Sequence, residues 1–427
     1  MVFYLGFAIC IFGMLFVTYK TFDSRNILSP QMFVFAGLLL FLYVPAIANK
    51  YPYVLNDHYN LLLLFGVLGS LFASSKVSYD VLRKDKEQFH LKTDIFKYLA
   101  FMYVLILCYE IVEKIMVMGS ISAVFLNNRL EAYLGENLSS TSPFRSLFFT
   151  GFKICFYIYV DYLFCNGKTR NALFLFMFPL LHHLFTANTR YDFVAMSGAL
   201  IIYYMNRRMY RKRIDVNGNV YEVKSKFNFW KIIIIGFIVI YFTLIFMRAA
   251  NLVRHGLSLE DMEFSYSTLF LDTFSNDSKY YEFLYDLYNK LDVDNFEYGY
   301  TWFIDPFINF IPRTIWPDKP YTSFSVRGTE LVYYDYTSGN PVYTFTILGE
   351  GYAQLGILGC FLSPLIFLIS RSITFKQMNR IKYHQLYSLI LLFSLLTYMR
   401  AESPIFWVLI EGIWIILIKK YLMIKTA

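Results

Sequence analysis

Long apolar stretches that alternate with short polar segments constrain this chain more than any other feature. Of its 427 residues, 57% are hydrophobic, and the apolar runs repeatedly approach the roughly 20 residues that a helix needs to cross a bilayer. Inside a bilayer every backbone polar group must be paired within the protein, which favours helices for such runs. The pattern therefore predicts an all-α, polytopic integral membrane protein that forms a single membrane domain over residues 1–427.

Eleven segments have this apolar character and are predicted to span the membrane. They are 2–19, 30–47, 59–75, 97–117, 146–163, 171–186, 191–206, 230–247, 344–369, 384–399 and 404–420.

Lysine and arginine residues orient these spans, because cytoplasmic loops carry an excess of them. They gather in residues 76–97, 206–231 and 371–382 and in the C-terminal tail, which all fall on one side if there are eleven spans. The N-terminus is then predicted outside and the C-terminus inside. The net charge of +8 is accounted for by these loops, so we expect no nucleic-acid partner.

Two outer segments are long. Residues 118–145 place apolar side chains, among them Val124, Phe125 and Leu130, at helical spacing, which predicts an interfacial amphipathic helix. Residues 248–343 form the large extracytoplasmic loop. Long connections in compact proteins are usually functional, so this loop is expected to carry part of a site.

Seven basic residues fall at or beyond the predicted outer face, where membrane insertion does not favour them. They are Arg190, Arg248, Arg254, Arg313, Lys319, Arg327 and Arg400. Several cations at one membrane level predict an anionic ligand, such as a lipid-linked pyrophosphate. The alternative for the arginines in short hairpins is ordinary snorkelling to the interface.

The segment from Pro312 to Pro320 is the stiffest part of the large loop. Its three prolines fix the backbone at three points and restrict the residues before them. Cations held in place beforehand lose less entropy when they bind an anion. Arginine offers a planar fork for phosphate oxygens and lysine a point charge, so Arg313 and Lys319 are the leading candidates. The alternative is a rigid surface turn whose cations meet lipid headgroups or Asp305 and Asp318.

Two residues are candidates for a general base. Glu350 lies near the outer end of the segment 344–369, flanked by glycines that permit close approach of a substrate or a helix. His255 is the second candidate because histidine titrates near neutrality. The alternatives are a helix-packing carboxylate paired with an arginine, and a solvated loop histidine.

Other polar and aromatic features are weaker signals. Asp292 and Asp294 form a D-x-D pattern, which is common by chance, and we expect no metal. Glu110 is expected to pair with Lys114 or a neighbouring arginine, and His182 to pack at the interface beside His183. Tyrosines of the large loop are candidates for stacking on sugar faces.

The stretch IPRTIWPDKP at 311–320, with GEGYAQLGILG at 349–359, resembles the bacterial oligosaccharide repeat-unit polymerases, the Wzy or O-antigen polymerase family. TRYD at 189–192 and the pair Arg248 and Arg254 are similar to the family's outer arginines. The resemblance implies a GT-C-like, metal-independent and cofactor-free glycosyltransferase in the bacterial cytoplasmic membrane. It would join undecaprenyl-pyrophosphate-linked repeat units at the outer face, for O-antigen, capsule or a similar polysaccharide.

The resemblance also implies roles for the candidate residues. A chain-length regulator protein and membrane lipid would be partners. The catalytic candidates are Glu350, His255, Arg313 and Lys319. The pyrophosphate-binding candidates are Arg190, Arg248, Arg254, Arg313, Lys319 and Arg400. An O-antigen ligase-like enzyme and a lipid-linked oligosaccharide flippase or exporter remain alternatives.

Overall fold

A computed structural model describes most of the apolar segments and part of the large loop. The described residues are 1–22, 30–48, 56–76, 89–119, 143–185, 190–214, 220–224, 245, 280–312, 315–320, 324–333, 345–381, 383–395 and 405–425.

The described chain is mostly helical. Its first eight α-helices are α1 (Val2–Phe22), α2 (Pro30–Leu38), α3 (Val44–Ala48), α4 (Asp57–Lys76), α5 (Thr93–Met118), α6 (Pro143–Cys165), α7 (Thr169–Phe185) and α8 (Arg190–Met209). The large loop contributes α9 (Tyr280–Lys290), α10 (Tyr300–Phe303), α11 (Asp305–Ile308) and α12 (Phe324–Val332), and the remaining helices are α13 (Ile347–Met378), α14 (Gln385–Ser394) and α15 (Ile405–Leu417). One π-helical turn, Leu39–Tyr43, joins α2 to α3, and another, Ile418–Leu422, follows α15.

Among these residues, three helical stretches are long and apolar enough, by length and composition, to cross a membrane: Thr93–Met116, Leu147–Cys165 and Ile347–Met378, the last of which contains non-helical residues at Leu355 and Gly356. Shorter apolar helices cover Val2–Val17, Asp57–Ala73, Ala195–Tyr204 and Gln385–Ser394. The protein is therefore a mostly helical protein with the character of a membrane protein. The number of spans and their orientation stay predictions.

Helices occupy every predicted span except 230–247, which lies outside the described residues apart from Ile245. The predicted interfacial helix in 118–145 also falls almost entirely outside them. Two departures from the predicted all-α fold are short antiparallel strand pairs. β1 (Phe89–Leu91) pairs with β4 (Met423–Lys425), and β2 (Tyr210–Ile214) pairs with β3 (Val220–Lys224).

Two contacts join segments that the charge pattern assigns to one side. The β1–β4 pair connects the basic segment 76–97 with the C-terminal tail, both predicted inside. The N-terminal ammonium lies 3.1 Å from a carboxylate oxygen of Asp57, at the start of α4, and both are predicted outside. We call the end of the bundle that holds Met1 and Asp57 the outer end.

The segment predicted as one span over 344–369 is a helical hairpin instead. Leu355 and Gly356 leave the helical conformation, Gly356 with φ +59° and ψ −141°. In a straight helix residues eight positions apart lie about 12 Å apart, yet a Cβ built on Gly359 would overlap the carbonyl oxygen of Gly351. The chain therefore reverses at Leu355–Gly356, so that 347–354 runs antiparallel to 357–378. Contact this close between helix backbones requires glycine on both arms.

Both arms of the hairpin pack on α4. A Cβ on Gly66 of α4 would lie 2.6 Å from a methyl carbon of Leu348 in the short arm, and one on Gly69 would overlap the carbonyl oxygen of Phe361 in the long arm. Small residues at such contacts let helices approach closely enough for dispersion forces to hold them. The hairpin and α4 thus form a tightly packed core.

Residues 280–333, which we call the outer segment, cover the outer end of this core. The hydroxyl of Tyr59 near the start of α4 donates to the carbonyl oxygen of Tyr281 at 2.7 Å, and the hydroxyl of Tyr281 donates to the side chain of Asn60 at 3.0 Å. Leu284 and Leu287 of α9 are fully buried. The outer segment is therefore built into the fold.

Candidate functional site

The predicted cations are unevenly represented in the structure. Arg190 is the first residue of α8, where only its backbone position is described. Lys319 and Arg327 are described with their side chains. The remaining candidates lie outside the described residues: Arg248, Arg254, His255, Arg313 and Arg400.

Lys319 closes the proline-rich turn on itself. Its ammonium donates a hydrogen bond to the carbonyl oxygen of Ile311 at 3.0 Å, and the backbone N–H groups of Ile315 and Trp316 both donate to Pro312 at 3.0 Å. The ammonium group of Lys319 therefore lies at the carbonyl of Ile311, which is two residues before Arg313 in sequence. This geometry agrees with the predicted stiffness of the turn.

Arg327 has a different role from the one expected for it. Its guanidinium lies 2.8 Å from a carboxylate oxygen of Glu297 and 2.8 Å from one of Asp305, and it donates to the hydroxyl of Thr301 at 2.6 Å. The buried carboxylate of Asp305 and the partly buried one of Glu297 neutralise this cation, so the prediction that Arg327 belongs to an anion site is wrong. Nearby acidic residues outcompete an external anion because they are permanently at contact distance.

Gln354 connects this network to the hairpin. Its side-chain amide donates to the hydroxyl of Thr301 at 2.9 Å and also to Glu297. The backbone N–H groups of Glu297 and Tyr298 donate to the carbonyl oxygens of Ala353 and Gln354 at 2.8 and 3.0 Å. The last carbonyls of a helix have no partner within it. The outer segment supplies those partners and so fixes where the short arm ends.

The charges of the network stabilise one another. Burial by itself would raise the pKa of the Glu297 carboxyl, but the hydrogen bond and charge of Arg327, with hydrogen bonds from Thr301 and Gln354, lower it overall. Burial works against the charged form of Arg327, and the two carboxylates outweigh it and raise the pKa of the guanidinium. Glu297 and Arg327 are therefore both held in their charged forms.

One signal of this network is present in the sequence. Glu297, Thr301 and Asp305 stand four residues apart in an otherwise aromatic stretch, which is the spacing of a shared helical face. No local pattern links them to Arg327 or Gln354, because those contacts bridge up to 57 residues along the chain.

Glu350 lies in the short arm, in the first turn after the N-cap residue Thr346. Its position four residues before Gln354 puts both on one face of the arm, and Glu350 is 1% exposed. A carboxylate at this depth is a functional candidate by position. A substrate hydroxyl would reach it only through an opening in the surrounding side chains. The flanking Gly351 serves the close approach of the second arm.

The structure also gives the positions of the secondary candidates. Glu110 contacts His182, with 2.6 Å between the carboxylate and the ring nitrogen, a partner that was not anticipated, and the rings of His182 and His183 pack edge to face. Asp292 and Asp294 are both exposed. Within the described residues no group of three or more histidine, cysteine, aspartate or glutamate side chains is arranged to hold a metal.

The tyrosines of α9 form part of the core, which corrects the idea that the loop tyrosines as a group stack on sugars. Tyr280 and Tyr281 are buried, and the rings of Tyr285 and Tyr288 pack against that of Tyr59 with centroids 5.1 and 5.8 Å apart. Burial against α4 leaves their faces little access to a glycan.

Described residues that lie near three of the predicted cations in sequence make two separate contacts. The ring of Phe310, three residues before Arg313, contacts that of Phe406 at 5.1 Å. On the other side of Arg400 in sequence, the ring of Phe393 in α14 packs against Gly198 of α8. A Cβ built on Gly198 would lie 2.7 Å from a carbon of that ring. Phe393 therefore contacts α8, the helix that starts at Arg190, and Phe406 contacts the described residues just before Arg313.

No protein-family model, curated protein or solved structure shows a significant match to this chain.

Proposed function

We propose that the protein is a glycosyltransferase that joins undecaprenyl-pyrophosphate-linked oligosaccharide repeat units into a surface polysaccharide at the outer face of the bacterial cytoplasmic membrane. The observation that supports it best is the pair of contacts on either side of Arg400. Phe393 lies against Gly198 of α8, the helix that starts at Arg190, and the ring of Phe406 lies 5.1 Å from that of Phe310, three residues before Arg313 in sequence.

Chain direction supports a common membrane level for two of these residues. α8 and α14 run antiparallel, because Tyr203 contacts Asp161, which accepts from the backbone of Leu386, while Gly198 lies against Phe393. Arg190 precedes Gly198 and Arg400 follows Phe393 in sequence. The start of α8 at Arg190 and the end of α14 at Ser394 therefore lie towards the same end of the bundle.

The proposed reaction places two demands on the site. The growing glycan leaves undecaprenyl pyrophosphate as a hydroxyl of the incoming repeat unit attacks the anomeric carbon, so negative charge develops on the diphosphate. Arg190, Arg313, Lys319 and Arg400 would stabilise that charge, with Arg248 and Arg254 as further donors. Loss of one such donor typically costs about 10²–10³-fold in rate.

The second demand is a base for the attacking hydroxyl. Glu350 would accept its proton, with His255 as the other candidate, and general base catalysis typically contributes about 10²–10⁴-fold. The buried position of Glu350 excludes bulk water, which would otherwise compete with the sugar hydroxyl as acceptor.

Purified protein in lipid should convert defined undecaprenyl-pyrophosphate repeat units, without added metal, into a ladder of longer products. Arg313→Ala should lower the rate by about 10²–10³-fold and leave single repeats, with normal expression and elution. Arg170→Ala, an exposed arginine at the start of α7 on the predicted cytoplasmic side, is the matched control and should behave as wild type.

Normal chain length with Arg313→Ala would refute the role of that residue. Absence of a ladder from folded, monodisperse wild-type protein would reject the polymerase. Transfer only after addition of a different acceptor would indicate the ligase-like alternative instead.

A further inference from the structure

The outer segment distributes its side chains in the opposite way to a water-soluble domain. Five large apolar residues on or after α10 and α11 are on the surface. They are Phe303 (64% exposed), Ile304 (46%), Phe307 (65%), Ile315 (75%) and Trp316 (39%). We call these five residues the apolar rim.

The polar residues of the same two short helices point inward. Thr301 and Asp305 are 3% and 2% exposed and contact Arg327. In water, such a segment would bury its phenylalanines and expose its carboxylate. Polar groups inside with clustered apolar groups outside indicate that the surrounding medium of this surface is apolar.

The apolar rim continues onto a helix that the sequence predicts to span the membrane. α11 packs against α15, and the ring of Phe310 contacts that of Phe406 at 5.1 Å. The next residue, Trp407, is 45% exposed, and the ring of Phe406 packs against it. The surface that would face lipid on α15 is therefore continuous with the rim.

Charge sets the boundary of this surface. Among the described residues from 298 to 316, Asp305 is the one acidic or basic side chain, and it is buried. Exposed charge resumes at Asp318, immediately beyond Trp316 and Pro317. An apolar patch edged by tryptophan and then by charge is the arrangement found at the interface between lipid and water.

We propose that the apolar rim inserts into the outer leaflet of the bilayer beside α15, at the level of the headgroups and upper acyl chains. Insertion removes the five side chains from water and leaves Asp318 and Lys319 among the headgroups. The outer segment then lies on the membrane, which holds the turn from Pro312 to Pro320 at the bilayer surface. This proposal goes beyond the proposed glycosyl transfer and stands without it.

A fluorescent probe at single cysteines tests the proposal in full-length protein reconstituted into phosphatidylcholine–phosphatidylglycerol nanodiscs. The two native cysteines that are not buried, Cys108 and Cys165, are first replaced by serine. NBD is then attached at Phe307→Cys or Ile315→Cys, and at Asn289→Cys, an exposed polar position on α9, as the matched control.

Probes at 307 and 315 should emit at shorter wavelength and be quenched several-fold more by lipids with a nitroxide high on the acyl chain than by aqueous iodide. The probe at 289 should show the reverse preference. Iodide quenching at 307 and 315 equal to that at 289 would overturn the proposal. Protection from both quenchers would also overturn it, because it would indicate a protein partner or a second copy.

A second measurement uses the native chain with a conservative change. Brominated lipids quench tryptophans that contact the bilayer, so Trp316→Phe should lower the quenched fraction of the total emission. Trp302→Phe removes a tryptophan that is 2% exposed and should not lower that fraction. An unchanged quenched fraction in Trp316→Phe would contradict insertion of the rim.

Discussion

Two partly buried arginines, one in the outer segment and one within the helix bundle, use the same chemistry for different purposes. Arg327 joins Glu297, Asp305 and Thr301 and is linked through them to the hairpin. Arg371 of α13 pairs with Glu411 of α15 at 2.8 Å, and Glu411 also accepts from Tyr387 of α14. The first network connects irregular chain, whereas the second connects helices that already pack against each other.

The difference shows which contacts determine the fold of this protein. Helices α13 and α15 pack directly against each other, so the Arg371–Glu411 pair adds to a contact that the two helices already make. The residues from Glu297 to Asp305 have little regular structure, and their position depends on Arg327, Gln354 and the carbonyls of the short arm. We therefore expect loss of Arg327 to destabilise the protein more than loss of Arg371.

The largest effect is expected from Arg327→Met. It leaves the carboxylates of Glu297 and Asp305 buried without their counter-charge, and removal of one partner from a buried pair typically costs about 3–5 kcal/mol. Unfolding of the purified protein in mixed detergent micelles measures this loss. Combining Arg327→Met with Glu297→Gln and Asp305→Asn should recover part of it. An Arg327→Met protein as stable as wild type would contradict the role of the network.

Arg371→Met should destabilise less, by about 3 kcal/mol at the lower end of the same range, because it leaves a single carboxylate and the helices remain packed. Adding Glu411→Gln should restore most of that stability. The same micelle titration compares the two arginines directly. A larger loss for Arg371→Met than for Arg327→Met would reverse the comparison.

Gly359→Ala tests the hairpin, whose turn follows Gln354, the residue that donates hydrogen bonds to Glu297 and Thr301. The new methyl group would overlap the carbonyl of Gly351, and such overpacking typically costs about 1–3 kcal/mol. Gly412→Ala in α15 is the matched control, because the nearest atom to its new Cβ is 3.9 Å away. Alanine is the better helix former by up to about 1 kcal/mol, so the control should be neutral or stabilising.

The smallest effect is a pH dependence from Glu297. Its pKa is lowered in the folded protein, so its contribution to stability is complete above the ordinary carboxyl pKa of about 4.3 and is lost as pH falls through the lower folded-state value. Thermal melting should therefore fall more steeply below about pH 4.3 in wild type than in Glu297→Gln. Parallel curves would show that the Arg327 pair does not lower this pKa.

The positions of the helices were largely predictable from the sequence. Apolar runs of spanning length coincide with α1, α4, α5, α6 and α7, because in an apolar solvent a long run has to satisfy its own backbone. The hairpin was not predictable, since 344–369 is as apolar as any single span. Its glycines permit a reversal, but only the contact between residues 351 and 359 requires one.

The candidate site divides in the same way. The stiffness of the proline-rich turn was predictable, because its three prolines each fix a backbone φ angle. In the structure the ammonium of Lys319 donates a hydrogen bond to the carbonyl of Ile311 at the start of this turn. The role of Arg327 was not predictable, because a cation near the outer face looks the same in sequence whether or not carboxylates neutralise it. Burial of Glu350 likewise depends on the second arm and the outer segment.

By itself the sequence determined what local composition controls, namely where helices form and where the chain is stiff. It also carried the resemblance on which the proposed chemistry depends. Only the tertiary structure decided which residues meet, because the contacts of Arg327, Gln354 and Phe310 join positions far apart in the chain. Bringing positions so far apart in sequence into contact costs loop-closure entropy. Local sequence patterns do not indicate which such contacts form, because the contacts of the folded network are what offset this cost.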